Sequence, residues 1–205
     1  QVDRSLRRIW PRARSKLYEE PKKLVAHGLA RATDDPVGRR RRTRYTITVT
    51  GRRALAAWLR EPGDGPILEF EQLVKIHFAD SGTKAAVLAN LAATRGWVLA
   101  ENEENLATAR AYLDGRGAFP QRAALNQLTG RFLTDFYLTV ARWVEWASGT
   151  VESWPDDVSH APFDLTVAEE AVRLAETIPA LLSHPDGPWA PPDRSGELIA
   201  GSDAD

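Results

Sequence analysis

Gly38-Arg39-Arg40-Arg41-Arg42-Thr43 runs straight into Arg44-Tyr45-Thr46-Ile47-Thr48-Val49. A cationic turn that leads into alternating apolar and polar residues reads as the second strand of a β-hairpin, one face toward a core and one toward solvent. Ala30 to Thr33 supplies the first strand, which leaves Asp34-Asp35-Pro36-Val37-Gly38-Arg39-Arg40 as the expected tip. Arginines concentrated on so small an element suit a polyanion, because each can contact a phosphate.

The flanking stretches give this hairpin its setting. From about Ala13 to His27 the chain reads as a helix, with Leu17, Leu24 and Val25 on one side, Arg14, Lys16, Lys22 and Lys23 elsewhere, and Gly28 as its C-cap. After the second strand, Thr50 is the expected N-cap of a helix whose Leu55, Trp58 and Leu59 face inward. Helix, basic hairpin and helix in that order form the pattern of a winged helix-turn-helix, in which one helix lies in the major groove and the wing flanks it.

Charge is partitioned in the same way. Over the whole chain 27 Lys and Arg face 28 Asp and Glu, a formal net charge of -1, which alone points to no polyanionic partner. Residues 1–60, however, hold 17 basic and 5 acidic side chains, a net of +12, whereas residues 61–205 hold 10 and 23, a net of -13. A genome-wide bias toward arginine would enrich both halves, so the partition marks the first half as the polyanion-binding end.

The 205 residues, 43% of them hydrophobic, can build one large core or two small ones. Cys is absent, which excludes a disulfide framework, a thiolate nucleophile and a Cys-based zinc or redox site, and fits a reducing, cytoplasmic location. No apolar run approaches the roughly 20 residues of a membrane span, and the N-terminus has no apolar signal-peptide core. A soluble intracellular protein without a membrane partner is expected. Met is also absent, even at position 1, so residues are expected to precede Gln1 in the complete product.

Glu61-Pro62-Gly63-Asp64-Gly65-Pro66 is a breaker cluster and the expected domain boundary. Beyond it the periodicity is helical: a helix over about Ile67 to Ala79, a long one from Lys84 to Leu113, another from Gln121 to Ser148, a loop from Gly149 to Asp164, and a last helix from Leu165 to Ser183 interrupted by Pro179. In the Gln121 helix, Leu125, Leu128, Phe132, Phe136, Val140 and Trp143 recur at steps of three and four, a stripe too long and too aromatic for one small domain to cover. These six residues are the expected dimer interface. From His184 onward Pro, Gly, Ser and Asp dominate and a disordered tail over residues 184–205 is expected. The fold class is therefore mainly α with a small β-wing: a winged helix-turn-helix domain over residues 1–60, its N-terminal part missing, then an α-helical dimerisation domain over residues 67–183.

The first sixty residues also carry a family likeness. Ile9-Trp10-Pro11, the stretch Lys16-Leu17-Tyr18-Glu19-Glu20-Pro21-Lys22-Lys23-Leu24-Val25-Ala26-His27-Gly28-Leu29, then Arg44-Tyr45-Thr46-Ile47-Thr48 and Thr50-Gly51-Arg52-Arg53-Ala54-Leu55-Ala56-Ala57-Trp58-Leu59 together resemble the PadR family of transcriptional regulators. The likeness covers about residues 4–60, and the acidic helical half is similar in length and pattern to the C-terminal domain of the larger, virulence-activator-like members. It implies that two helices come before the recognition helix, of which Gln1 to Arg8 would be only the end of the second. It also implies that the helix bearing Ser15, Lys16, Tyr18 and Lys22 enters the major groove. Arg12, Arg14 and Lys16 are then candidates for base or flanking phosphate contacts, since Arg can bridge two acceptors of guanine. Tyr18 would donate to a phosphate, and Arg39, Arg40, Arg41, Arg42 and Arg44 would lie at the wing beside the DNA backbone or minor groove. For Tyr18 and Tyr45 the competing expectation is core packing. Two positions depart from the family. Pro21 stands where an apolar helix residue is usual and is expected to kink the recognition helix, at about 3 kcal/mol in an ordinary interior. Ala13 stands where a small polar cap is common.

One head reads only a half-site, so a homodimer on a roughly palindromic operator in double-stranded DNA is expected, with recognition helices about one DNA turn apart or a multiple of it. Repression ranks ahead of activation because it is the commoner outcome in the resembled family. Members of that family often respond to small aromatic or hydrophobic molecules, and Trp97, Trp143 and Trp146 are the candidate lining of an effector pocket; core and interface anchoring is the stronger reading of the same three residues. No enzyme is expected, and no cofactor or metal: His27, His77, His160 and His184 form no ligand-spaced pair, and neither a phosphate loop nor a nucleophile motif is found. Glu101, Glu103 and Glu104 read as a solvated helix face, and His77, between Ile76 and Phe78, as a core or interface histidine. The alternative to a regulator is a helical interaction protein whose basic end binds RNA or an acidic protein.

Overall fold

The computed structural model describes residue 9, residues 14–37 and residues 40–183, with the backbone alone for residues 14–18, 35–37 and 40–42. The tail expected over residues 184–205 lies outside the described residues. The chain divides into two compact units, Gln1–Leu68 and Glu69–Asp205.

In the first unit, α1 (Arg14–Ala26) leads into a two-stranded antiparallel sheet, β1 (Ala30–Val37) and β2 (Arg40–Ile47), followed by α2 (Val49–Trp58). Gly28 ends α1 because its φ of 68° lies in the left-handed region that side chains with a Cβ avoid. The amide of Gly28 donates to the Val25 carbonyl at 2.9 Å and that of Leu29 to the Leu24 carbonyl at 2.8 Å, the paired closure of a Schellman motif. Pro21 does not end the helix, which runs through it.

Two expectations are corrected here. The hairpin is longer than the composition of its tip suggested: the ladder runs from Ala30 opposite Ile47 to Val37 opposite Arg40, so Asp34 to Val37 and Arg40 belong to strands. Pro36 is tolerated because each strand of a two-stranded sheet has an outer edge where no ladder donor is needed. The N-cap of α2 is Thr48, two residues before the expected Thr50. Thr48 is extended, its hydroxyl accepts the Gly51 amide at 3.0 Å, and it donates to the Gly28 carbonyl at 2.7 Å. One hydroxyl thus caps α2 and ties it to the end of α1.

In the second unit, α4 (Lys84–Leu113) and α5 (Ala123–Glu152) form an antiparallel pair, preceded by the short α3 (Glu71–His77) and followed by α6 (Leu165–Ser183). α3 begins later than expected, since Ile67 and Leu68 are exposed and have no core to fold against. α5 begins after a 3-10 turn at Pro120–Arg122 and continues through Gly149 to Glu152, past the predicted loop start. Its last turns carry Ala147 and Val151, and burying both against α4 outweighs the roughly 1 kcal/mol helix penalty of one glycine. Pro179 likewise lies inside a continuous α6.

The core of this unit has two layers. Val87 and Leu91 of α4 meet Val144, Ala147 and Val151 of α5, joined by Val158 from the turn after α5; Val98 meets Tyr137 and Val140 farther along. Buried polar groups are paired: Thr94 donates to the Asn90 carbonyl at 2.9 Å and Asn105 donates across the helix pair to the Thr134 hydroxyl at 2.8 Å. Lys84 reaches from the start of α4 to the end of α5, donating to the carbonyls of Glu152 at 2.6 Å and Trp154 at 2.8 Å, groups that the helix itself leaves without donors. Lys84→Met keeps the side-chain length but orphans both carbonyls. It should lower the unfolding free energy by about 1–3 kcal/mol in a chemical denaturation curve; an unchanged midpoint would show that water replaces the clasp.

Candidate nucleic-acid interface

Register sorts the basic residues of the hairpin. Directly opposed residues share a face of an antiparallel ladder and successive residues alternate, so positions 31, 33, 40, 42 and 44 lie on one face and positions 30, 32, 41, 45 and 47 on the other. The second of these faces is the inner one at its base: Ile47 comes so close to Gly51 of α2 that a Cβ there would meet its Cγ1 at 2.9 Å. Arg31 and Arg44 on the outer face are exposed. Three of the arginines expected at the tip, Arg40, Arg41 and Arg42, are the first residues of β2, and Arg41 falls on the opposite face from its two neighbours. Arg31 was missed by sequence reasoning; the signal was there in Ala30-Arg31-Ala32-Thr33, an alternation whose polar positions match those of the return strand.

On α1, Arg14, Ser15, Lys16 and Tyr18 occupy the first two turns, and Lys22 is exposed farther along. Lys23 forms an exposed pair with Glu20 at 3.1 Å, which supplies little energy. Arg12 and Arg39 lie outside the described residues. Tyr45 lies on the inner face yet keeps 40% of its surface exposed, so neither core packing nor solvent claims it alone. In α2, Arg53 is exposed, while Arg52 donates from its guanidinium to the Ile47 carbonyl at 3.2 Å and so braces the junction with β2.

No family model matches the chain, and no curated protein matches it. Solved structures do. PadR of Bacillus subtilis in complex with operator DNA is 17% identical, with a TM-score of 0.62 over 73% of this chain and 84% of that one. The same protein in complex with p-coumaric acid is 18% identical, with a TM-score of 0.55 over 72% and 83%. A PadR-like transcriptional regulator of Bacillus cereus is 13% identical, with a TM-score of 0.53 over 71% and 82%. The chain has the PadR fold.

Within this PadR fold the residues expected to face a partner copy do not behave as one surface. Val140 is buried in the protomer's own core, Phe136 packs beside it, and Trp143 packs against the Val87–Val144 layer. Leu125, Leu128 and Phe132 are 57%, 71% and 61% exposed, so only this half of the stripe is available to a partner. Val140 is thereby corrected from interface to core. α4 claims it, because Val98 lies opposite it across the antiparallel pair.

The tryptophans divide similarly. Phe70, just ahead of α3, stacks at 6.4 Å from Trp97 and 6.1 Å from Trp143, and Trp97 also meets Phe136 at 6.4 Å and Tyr137 at 6.0 Å. Trp97 and Trp143 thus belong to one aromatic cluster whose hub is Trp97, linked to Trp143 through Phe70, a residue the sequence did not single out. Trp146 is 49% exposed on the outer side of α5 and is not one of that cluster's rings. A separate open cavity of about 240 Å³ is lined by Ile76, Phe78, Thr83, Val87 and Asn90. His77 is exposed and sits edge-on to Phe78 at 4.9 Å, so of the two expected placements, core or interface, the protomer's own core is excluded. Glu103 and Glu104 are exposed, while Glu101 is half-buried and accepts from the Tyr137 hydroxyl at 3.5 Å. His160 contacts Asp157, whose carboxyl is held below the ordinary carboxylate range by the hydroxyl and amide of Ser159 and by His160 itself. Among the described residues no His, Cys, Asp and Glu group could hold a metal, and no helix is long and apolar enough to cross a membrane.

Proposed function

We propose that the protein is a DNA-binding transcriptional regulator of the PadR type, a homodimeric repressor that binds a palindromic operator and is released by a small aromatic or hydrophobic effector. The observation that carries this reading is the concentration of a net +12 charge in the unit that folds as helix, hairpin and helix, with Arg31, Arg40, Arg42 and Arg44 at positions on one face of the hairpin. α1 enters the major groove, and Arg12, Arg14, Ser15, Lys16, Tyr18 and Lys22 contact base edges and flanking phosphates. The hairpin follows the backbone, where Arg39 to Arg42, Arg44 and Arg31 contribute affinity and salt dependence more than sequence choice. The fold of PadR in complex with operator DNA supports the assignment of this unit to DNA, and that of PadR in complex with p-coumaric acid supports a small-molecule effector.

Dimerisation belongs to the second unit, where Leu125, Leu128 and Phe132 stand exposed on one side of α5. The effector is assigned to the aromatic cluster of Phe70, Trp97 and Trp143, whose planar rings offer stacking partners to an aromatic acid. Selection of bound duplexes from a random DNA pool tests the central reading. An enriched inverted repeat, with half-sites about one helical turn or a multiple apart, is the expected result; no enrichment, with equal weak binding to DNA and RNA of the same length, would sink it.

A further inference from the structure

Thr43 is set among arginines. Every other residue from Arg39 to Arg44 is arginine, so the threonine hydroxyl follows an unbroken cationic run and precedes one more cationic side chain. The fold leaves that hydroxyl open. Thr43 is exposed and its hydroxyl makes no hydrogen bond among the described residues, whereas Thr33 donates to the Arg44 carbonyl at 3.4 Å and Thr48 is committed to both Gly28 and Gly51. The strand is also presented in a form that a modifying enzyme can take. The sheet has only two strands, so β2 has an outer edge along which another extended chain can pair. Beyond Thr43 the ladder runs only to Val37 opposite Arg40, and the ends of two-stranded ladders open most easily. An enzyme with an acidic cleft selects arginines ahead of an acceptor hydroxyl through charge and forked hydrogen bonds.

Register fixes what a phosphate does at this position. Phosphothreonine carries a charge of about -1.5 to -2 near neutral pH. Directly across the ladder stands the exposed carboxylate of Asp34. Opposed residues have Cβ atoms about 5 Å apart, and like charges there destabilise the pair. Positions 42 and 44 lie one residue to either side, about 3.3 Å along the strand and well inside the screening length of about 8 Å at physiological salt. A phosphate on Thr43 therefore cancels up to two of the positive charges that the hairpin offers to DNA, and it loosens the end of the ladder that holds them.

We propose that Thr43 is a phosphorylation site, and that its modification by an arginine-directed Ser/Thr kinase releases the hairpin from DNA. In the transfer, Thr43 Oγ1 attacks the γ-phosphorus of a Mg²⁺-bound nucleoside triphosphate. The bond from that phosphorus to the bridging oxygen breaks, the nucleoside diphosphate leaves with the electron pair, and the hydroxyl proton passes to a carboxylate of the kinase. The release rests on the DNA-binding reading above; the modification itself does not.

The test treats the full chain with Mg-ATP and the catalytic subunit of cyclic-AMP-dependent protein kinase, an arginine-directed enzyme. Intact-protein mass spectrometry with fragment mapping follows, and then a salt titration of binding to a mixed-sequence duplex. A phosphate mapped to Thr43, absent from Thr43→Val and retained in Thr46→Val, is the expected product. It should flatten the slope of log affinity against log salt by up to about 1.8 for each bound head and weaken binding about 30-fold per head near physiological salt. Amide exchange in the hairpin should rise on phosphorylation, and Asp34→Asn should restore the protection without restoring the slope. No phosphate at Thr43 would overturn the site. A phosphate there that leaves affinity unchanged, while the unmodified chain binds with a steep salt slope, would overturn the release and leave the regulator standing. An unmodified chain that binds no duplex would overturn the DNA-binding reading and the release with it, and the mass measurement alone would then decide the site.

Discussion

Gly51→Ala is expected to unfold the N-terminal unit or come close to it. A Cβ built on Gly51 would lie 2.0 Å from the Leu29 carbonyl oxygen and 2.9 Å from Ile47 Cγ1, the first of which no side-chain rotation relieves because the obstacle is backbone. That carbonyl cannot easily withdraw, since it accepts the Thr48 amide at 3.0 Å while the Leu29 amide is engaged with Leu24 at 2.8 Å in the closure of α1. The added methyl must therefore push α2 off the junction where α1, the hairpin and α2 meet, and overpacking against fixed backbone costs about 2–4 kcal/mol. Against a domain stability of about 5 kcal/mol at the low end of the usual range, that is most of what holds the unit together. Amide exchange should show hairpin protection collapsing while α4 and α5 keep theirs. Gly96→Ala is the control: it sits mid-helix with nothing within 4 Å of a new Cβ and should stabilise α4 by up to about 1 kcal/mol. Equal behaviour of the two variants would refute the close approach at Gly51.

Changing Arg40, Arg41 and Arg42 together to alanine should cost DNA affinity without costing the fold. Each phosphate left without its arginine reduces the slope of log affinity against log salt by about 0.9, so the triple change flattens it by up to about 2.7 per half-site, about 5.4 for a dimer on both half-sites, and weakens binding about 1,000-fold or more near physiological salt. The effect should be nearly the same for operator and unrelated duplex, because a wing of this kind grips the DNA backbone rather than the bases. Register adds a finer expectation. Position 41 is on the opposite face of the ladder from positions 40, 42 and 44, so Arg41→Ala alone should matter less than Arg42→Ala. Equal weakening by the two single variants in a salt titration would mean that the hairpin twists or opens on binding.

How much was legible from residues alone differs between elements for physical reasons. α4 and α6 match their predicted bounds because their ends are marked locally: Thr83 caps the first by accepting the Ala86 amide, and a Gly115 at φ 70° follows its last residue. The hairpin tip was misjudged because Pro and Gly signal turns in general, while the cross-strand ladder that overrode them at Pro36 depends on a partner strand. The cap of α2 was displaced by two residues for a similar reason. Thr48 and Thr50 are equivalent in sequence, but only Thr48 stands where its hydroxyl can also reach the Gly28 carbonyl. Among the candidate site residues, the basic positions of α1 and β2 were readable as charge, whereas Arg31 emerges only when the register sets it on the face of Arg44.

Local periodicity and charge were enough to determine the kind of protein this is: a basic helix–hairpin–helix unit joined to an acidic helical one, because helix period, strand alternation, caps and net charge are all properties of neighbouring residues. Which apolar residues are spent inside the molecule was decided by the tertiary structure alone. Leu125, Leu128, Phe132, Phe136, Val140 and Trp143 form one uninterrupted stripe in the sequence, yet α4 and Phe70 cover its second half and leave the first bare. A hydrophobic period states that a face must be buried; it carries no information on which element, or which copy of the chain, does the burying.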